Sequence, residues 1–387
     1  MTKTFWNLWS SYAAYYFGKV NLSIVIPVLL ATYGELSLYS IGWVSTGFML
    51  SYALGQFFHG QFSERFNPFV YVAIGLVGSA IMNFILGFSA GFFWALLIGE
   101  IIDGGFQSMG WSSIVRANAE TSKNPEKSST ILGTAYQFGN SFAWIVCAFV
   151  IGQWGWQWGF WVASAVMMTR GIHIYITRPK QLPKPIKTTS ERVKLTLSFP
   201  IVISGICLCL LNIVRYGVIT WIPTYLYRTF DMPIEKVGVS IFLIPIAGIA
   251  GTLLYTKIKL PKDVTTMLYL MLLGVTFAVF PNTTGTLMIG LLLIGGFALY
   301  GPHVFLVTTM PSRFHDKQIV AASTGFIDGA GYIGSAIVGI LVPLIIDKTG
   351  TWSSVFYLWA AMAVVVATLV GIVYGKAWNN RKGSQVG

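Results

Sequence analysis

The sequence consists largely of apolar stretches, each long enough to cross a lipid bilayer. A membrane-spanning helix needs about 20 apolar residues, and about twelve such stretches follow one another with short polar breaks. We therefore predict an all-α integral membrane protein with twelve transmembrane helices. The spans are expected near residues 5–32, 39–62, 67–89, 91–116, 129–152, 156–177, 197–228, 236–257, 264–281, 285–310, 318–346 and 352–376.

The charged residues are few and are distributed by loop. Only 10% of the residues are charged, whereas soluble domains carry about 25%. The net charge of +12 does not indicate nucleic-acid binding, because the basic residues occupy alternate loops rather than one surface. Arg65, Lys123, Lys127 and the stretch 178–194 all fall on one side, so the positive-inside rule predicts that both termini are cytoplasmic, in the cell membrane. The first apolar stretch is expected to be a retained span, not a cleaved signal peptide.

A polar segment divides the chain into two halves. RPKQLPKPIKTTSERVK at 178–194 is rich in proline and basic residues, so we expect an N-terminal six-helix bundle at 1–177, a cytoplasmic linker at 178–196 and a C-terminal bundle with a short tail at 197–387. We expect a monomer.

The two halves repeat each other. Lys19 precedes Pro27 by eight residues, and Arg215 precedes Pro223 by the same eight. GGFQSMG of span four returns as GGFALYG in span ten, and the pair Gly133/Gly139 returns as Gly325/Gly331. These matches keep their order and predict two pseudo-symmetric bundles. Parallel repeats of this kind place a substrate site near the bilayer midplane, where one half rocks against the other.

Two cations lie near the middle of predicted spans. A charge at this depth is costly unless it faces a cavity or a partner, and the matched positions of Lys19 and Arg215 would direct both to a shared central cavity. A guanidinium can grip two oxygens of a phosphate or carboxylate. Alternatively, each cation pairs with a buried acid such as Glu100, Asp103 or Asp328. Asp328 and Glu100 also have an interpretation as proton carriers.

Polar and aromatic residues of the spans could complete a site for an organic substrate, although packing is the commoner role for an aromatic residue in a membrane protein. The candidates are Gln107, Trp111, Tyr136, Tyr216 and Tyr332. His303 is a lone histidine, for which a core position is favoured over a proton relay. No catalytic cluster and no phosphate-cradling loop of the nucleotide-binding type occur in the sequence, so we expect neither an enzyme nor a cofactor.

Several motifs resemble those of known transporters. GQFSERFNP at 60–68 resembles the loop signature of the major facilitator superfamily, which implies the major facilitator fold. Other motifs resemble the organophosphate:phosphate antiporters of that superfamily, which exchange glycerol phosphate or hexose phosphates for inorganic phosphate. These are YYFGKVNLSIVIP at 15–27, FQSMGWSSIVR at 106–116, VRYGVITWIPTYL at 214–226, LYGP at 299–302 and STGFIDGAGYIG at 323–334.

The resemblance implies roles for individual residues. It assigns phosphoryl binding to Lys19 and Arg215, with Gln107 and Trp111 of span four and Tyr332 of span eleven as further site residues. Lysine at position 19 keeps the charge of the usual arginine but not its two-pronged donor geometry.

The sequence departs from the family pattern at two further positions. Gln56 stands where some members have a lysine, and Tyr136 where glycerol-phosphate carriers have a histidine. The expected substrates therefore remain both glycerol 3-phosphate and hexose phosphates.

The predicted function is exchange of such an ester for inorganic phosphate by alternating access. Closing an empty cavity around two like charges is costly, whereas a bound dianion neutralises them. The alternatives are a proton-coupled symporter of an organic anion and a sugar-phosphate sensor that transports poorly.

Overall fold

A computed structural model describes residues 2–62, 66–122, 128, 131–179, 199–310 and 320–383. Several basic residues behind the orientation prediction lie outside these ranges, namely Arg65, Lys123, Lys127 and most of the predicted linker. The orientation and the domain boundaries therefore stay predictions.

The described residues form helices joined by short connections. In chain order they are α1 (Lys3–Thr32), α2 (Leu38–Phe62), α3 (Pro68–Ser89), α4 (Phe93–Gln107), α5 (Gly110–Thr121), α6 (Ala135–Trp154), α7 (Gln157–Thr177), α8 (Phe199–Phe230), α9 (Ile234–Lys257), α10 (Lys262–Val279), α11 (Gly285–Val304), α12 (Val320–Thr349) and α13 (Ser353–Gly383). A short 3₁₀ turn, Phe280–Asn282, follows α10, and a π-helical turn, Phe305–Thr309, follows α11.

Within the described ranges, nine helices are long and apolar enough to cross a membrane. They are α1, α3, α6 and α8 to α13. The predicted span 91–116 is divided into α4 and α5, because the chain turns at Ser108 and Met109, whose N–H groups bond to the carbonyls of Gly104 and Phe106 at 3.1 Å each. The total of twelve spans stays a prediction.

The contacts divide the chain into two compact units. The first comprises the described residues of 1–188 together with Ile219–Pro245, and the second those of 189–218 together with Ile246–Gly387. In the first unit α1 packs on α6 and α7, α2 on α4, and α3 on α7. In the second unit α10 packs on α11 and α13.

Glycines let the helices of each unit approach closely. A methyl group on Gly139 of α6 would lie 2.9 Å from Ala13 Cα of α1. In the second unit a methyl group on Gly334 of α12 would lie 2.8 Å from the carbonyl carbon of Cys209 in α8. Small residues at such crossings allow backbone-to-backbone packing in membranes. Helix α6 thus contacts α1 in the same way as its counterpart α12 contacts α8.

The ends of these two helices repeat as well. Gly155 after α6 has φ 99° and Gly350 after α12 has φ 70°, a conformation that favours glycine. Their N–H groups bond to Ile151 O at 2.9 Å and Ile346 O at 2.8 Å. The helices α6 and α12, which correspond in the predicted internal repeat, therefore also end in the same way.

Candidate functional site

Lys19 of α1 lies against aromatic rings in the first unit. Its Nζ is 3.6 Å from the centroid of the Tyr52 ring of α2 and 5.5 Å from that of Tyr16. An ammonium group over an aromatic face is stabilised by the ring's electron density. Gln56 fixes Tyr52 by donating from Nε2 to the tyrosine Oη at 2.7 Å. Gln56 therefore orients the tyrosine ring that Lys19 Nζ contacts.

A row of aromatic rings links Lys19 to two other predicted site residues. Tyr16 lies 5.7 Å from Tyr136 of α6, and Tyr12 lies 4.7 Å from Trp111 of α5, measured between ring centroids. Tyr12 and Tyr16 are themselves 5.6 Å apart. The structure therefore brings Lys19, Trp111 and Tyr136 to one aromatic face of the first unit, which could bind the apolar side of an organic anion.

The predicted site residue Gln107 lies in an adjoining buried network. Its Nε2 donates to Ser79 Oγ at 2.8 Å and contacts Met167 Sδ at 3.6 Å. Gln107 is only 2% exposed, and a methyl group on Gly18 would lie 2.7 Å from its Nε2. Gln107 therefore packs directly behind the α1 backbone next to Lys19.

The same network holds the acids of α4. Asp103 accepts hydrogen bonds from Ser79 Oγ and from Asn83 Nδ2, the latter at 3.0 Å. Asn83 Oδ1 in turn accepts from Asn21 Nδ2 of α1 at 2.7 Å. Hydrogen bonding of this kind is what makes a buried polar group tolerable. Asp103 therefore holds α1, α3 and α4 together.

Glu100 differs from Asp103. It lies one turn earlier on α4, which places the two carboxyl groups on the same helix face. Glu100 is 2% exposed, and its Oε1 makes no hydrogen bond to the described residues. Its predicted role in coupling or charge pairing stays a prediction.

Arg215 of α8 is the centre of a cluster in the second unit. It is 6% exposed, and its Nη1 lies 3.2 Å from His303 Nε2 of α11. The guanidinium carbon is 5.1 Å from the ring centroid of Tyr216 and 5.5 Å from that of Tyr300. Asp328 of α12 is close enough for its charge to interact with that of Arg215. Among the described residues, Arg215 thus lies near an acid, an imidazole and the phenol rings of two tyrosines.

Tyr332 of α12 lies one helical turn after Asp328 and is half-buried. Residues four apart share a helix face, so Tyr332 and Asp328 lie on the same side of α12. Its predicted contact with substrate stays a prediction.

The sequence analysis missed several neighbours of the two cations. Tyr12 and Tyr16 precede Lys19 by seven and three residues, a spacing that places all three on one face of α1. His303 follows Tyr300 by three residues on α11, and the structure places both beside Arg215. Helical spacing from Lys19 could have identified Tyr12 and Tyr16, and Tyr300 belongs to the motif LYGP at 299–302.

The chain matches one protein family over most of its length. The family model described as Major Facilitator Superfamily matches residues 8–338. Among curated relatives, the membrane sensor protein UhpC of Escherichia coli (strain K12) is 24% identical over 95% of this chain and 89% of its own. The glycerol-3-phosphate transporter of Bacillus subtilis (strain 168) is 25% identical over 98% and 93%. Sugar phosphate exchanger 3 of Xenopus laevis is 24% identical over 83% and 76%.

Solved structures support the fold. The nucleoside transporter NupG aligns with a TM-score of 0.78 over 96% of this chain and 100% of its own, at 13% identity. The D-xylose-proton symporter aligns with a TM-score of 0.74 over 95% and 96%, at 14% identity. At these identities the likeness shows the fold alone.

Proposed function

Because this chain belongs to the Major Facilitator Superfamily, we propose that it is a secondary transporter that exchanges an organic phosphate ester for inorganic phosphate. It is an integral membrane protein of a transporter family rather than an enzyme. Glycerol 3-phosphate and the hexose phosphates are the proposed esters. We place the protein in the cell membrane as a monomer with both termini in the cytoplasm.

The observation that carries the proposal is the pair of cations at equivalent positions of the two repeats. Lys19 lies on the first helix of one repeat and Arg215 on the first helix of the other, each eight residues before a proline. Each is held among tyrosine rings inside its own unit. A charged side chain inside membrane spans is by default a candidate for a substrate or ion path. Two such cations suit a small substrate with more than one negative charge.

The names of the relatives support phosphate as the recognised group. The Bacillus subtilis relative is named a glycerol-3-phosphate transporter and the Xenopus laevis relative a sugar phosphate exchanger. They align over 98% and 83% of this chain. A guanidinium matches the geometry of phosphate oxygens and can bind two of them at once.

Exchange follows from the cost of moving the empty carrier. Reorientation without substrate would bury two uncompensated like charges, one in each unit, and such burial is unfavourable. A bound phosphate or ester neutralises these charges and lowers the free energy of the closed state. Transport in one direction is therefore coupled to return with another anion, and the phosphate gradient supplies the driving force.

A sensor that binds sugar phosphates but transports slowly is the second candidate. One observation favours it: a relative that aligns over 95% of this chain is named a membrane sensor protein. A sensor would keep the binding residues around Arg215 and Lys19, so substrate binding alone does not distinguish the two functions. Flux across a membrane does.

The test is exchange in proteoliposomes loaded with labelled phosphate. External phosphate, glycerol 3-phosphate, glucose 6-phosphate or a carboxylate is added, and release of label is followed for the wild type, Arg215→Gln and Arg228→Gln. Arg228 lies exposed in the last turn of the same helix, so it controls for the loss of one positive charge. We expect release by phosphate and by an ester in the wild type and in Arg228→Gln.

Arg215→Gln should lose this release. Two charge-assisted hydrogen bonds to phosphate contribute about 1.5–3 kcal/mol each, so their loss weakens binding about 10²- to 10⁴-fold. Phosphate binding without release would identify the sensor. Release driven by a pH gradient with no internal phosphate would replace the proposal with a proton-coupled symporter.

A further inference from the structure

The contact between Arg215 and His303 fixes the protonation of the imidazole. A guanidinium nitrogen carries hydrogens and can only donate. The 3.2 Å contact between Arg215 Nη1 and His303 Nε2 therefore makes Nε2 the acceptor. The ring is neutral, with its hydrogen on Nδ1. An imidazolium has no acceptor, so a protonated His303 could not keep this hydrogen bond.

Charged and titratable groups from three described helices of the second unit lie near this contact. Arg215 is the permanent cation of the cluster, and Asp328 of α12 is the acid that interacts with it. Tyr216 of α8 and Tyr300 of α11 line the guanidinium. Tyr255 of α9 and Tyr269 of α10 pack beside Gly301, and their hydroxyl groups bond elsewhere: Tyr255 Oη lies 2.9 Å from Thr266 Oγ1, and Tyr269 Oη donates to Gly251 O at 3.0 Å.

A phosphate group that takes the Nη1 hydrogen would compete with the imidazole for it. An oxyanion accepts a hydrogen bond from a guanidinium more strongly than a neutral nitrogen does. A phosphate oxygen bound at Nη1 therefore takes the place of His303 Nε2 and leaves this ring nitrogen beside the phosphate oxygens. The dianion brings two negative charges to a cluster with one permanent cation. A proton on Nε2 supplies a second positive charge and a second donor.

We infer that His303 takes up a proton from solvent when a phosphate group binds Arg215, so that the second unit binds phosphate and a proton together. This inference rests on the proposed function, because it requires that Arg215 bind phosphate. It assigns to His303 a substrate-binding role that is distinct from the roles of Lys19 and Arg215. It also predicts that binding strengthens as the pH falls, by an amount that the titration of phosphate itself does not explain.

The test compares the wild type with His303→Gln by titration calorimetry with inorganic phosphate. Glutamine keeps an acceptor for Arg215 and a donor for phosphate, but it cannot gain a proton. Purified full-length protein is titrated in buffers of different ionisation enthalpy, which gives the number of protons taken up per phosphate bound. His173→Gln is the matched control, because His173 is an exposed histidine of α7.

We expect the wild type and His173→Gln to take up more protons than His303→Gln, by about one proton near neutral pH. Equal proton numbers in the wild type and His303→Gln, with phosphate still bound, would overturn the inference. No phosphate binding by the folded wild type would instead overturn the proposed function, and this inference with it.

A measurement on the wild type alone tests the inference even if the His303→Gln variant fails to fold or to bind phosphate. The chain has four histidines, so ring ¹⁵N resonances of labelled protein can be resolved and assigned. His303 should show the neutral Nδ1–H form without phosphate and the imidazolium form at saturating phosphate. A ring that stays neutral at saturation would contradict the inference.

Discussion

Gly139→Ala tests whether the close approach of α1 and α6 is needed for stability. The added methyl group would lie 2.9 Å from Ala13 Cα and 3.0 Å from its carbonyl carbon, whereas carbon atoms pack best at about 3.5–4.0 Å. The obstacle is backbone and cannot rotate away, so the two helices must separate. Overpacking of this kind costs about 1–3 kcal/mol.

The same substitution at Gly290 of α11 is the matched control. Gly290 also lies near the start of a 20-residue helix, and a methyl group there would meet no atom within 4 Å. Alanine in place of glycine favours a helix by about 0.8–1.0 kcal/mol, and this gain applies to both sites. We expect Gly290→Ala to be about 1 kcal/mol more stable than the wild type, and Gly139→Ala to be about 1–3 kcal/mol less stable than Gly290→Ala.

The assay is equilibrium unfolding in mixed micelles, followed by tryptophan fluorescence. Gly334→Ala should behave like Gly139→Ala, because a methyl group there meets the backbone of Cys209 at 2.8 and 3.0 Å. Equal stabilities for Gly139→Ala and Gly290→Ala would refute the reasoning, since the steric contact is the difference between them.

Two further changes test the first unit. Lys19→Arg should keep phosphate binding because it retains the charge. Lys19→Gln should weaken binding about tenfold or more, because one charged hydrogen bond is lost. Equal affinities of the two variants in a binding titration would contradict a role for Lys19. Glu100→Gln should leave stability unchanged or raise it, because the buried Oε1 has no hydrogen bond among the described residues to lose. A clear fall in the unfolding midpoint, measured beside Asp103→Gln, would show that Glu100 supports the fold.

The positions of most helices could be predicted from apolar length alone. The seventh span was expected at 197–228 and α8 is Phe199–Phe230; the sixth was expected at 156–177 and α7 is Gln157–Thr177. A bilayer fixes the length of a span and excludes unpaired backbone groups, so hydropathy alone predicts where most helices begin and end. It did not predict the break between α4 and α5, because a turn of one or two residues leaves the average hydropathy unchanged.

The surroundings of the candidate site residues were less predictable. Lys19 and Arg215 stand out because a charge inside a span is rare. The partners of Gln107 and of Arg215 come from helices distant in sequence: His303 is 88 residues from Arg215, and Ser79 is 28 residues from Gln107. Which faces of two helices meet depends on packing, and no periodicity within one helix encodes it. His303 was interpreted as a core residue, and its contact with the guanidinium at 3.2 Å could not be predicted from the sequence.

The hydrogen bonds of Asp103 also bear on how the chain enters the membrane during synthesis. An aspartate at the centre of a helix opposes insertion by about 2.5–3.5 kcal/mol, and α4 has only 15 residues and carries Glu100 as well. Its partners Ser79 and Asn83 lie on α3, which leaves the ribosome first. We expect α4 to partition into the bilayer together with α3 as a hairpin, in which Ser79 and Asn83 already donate to the acid.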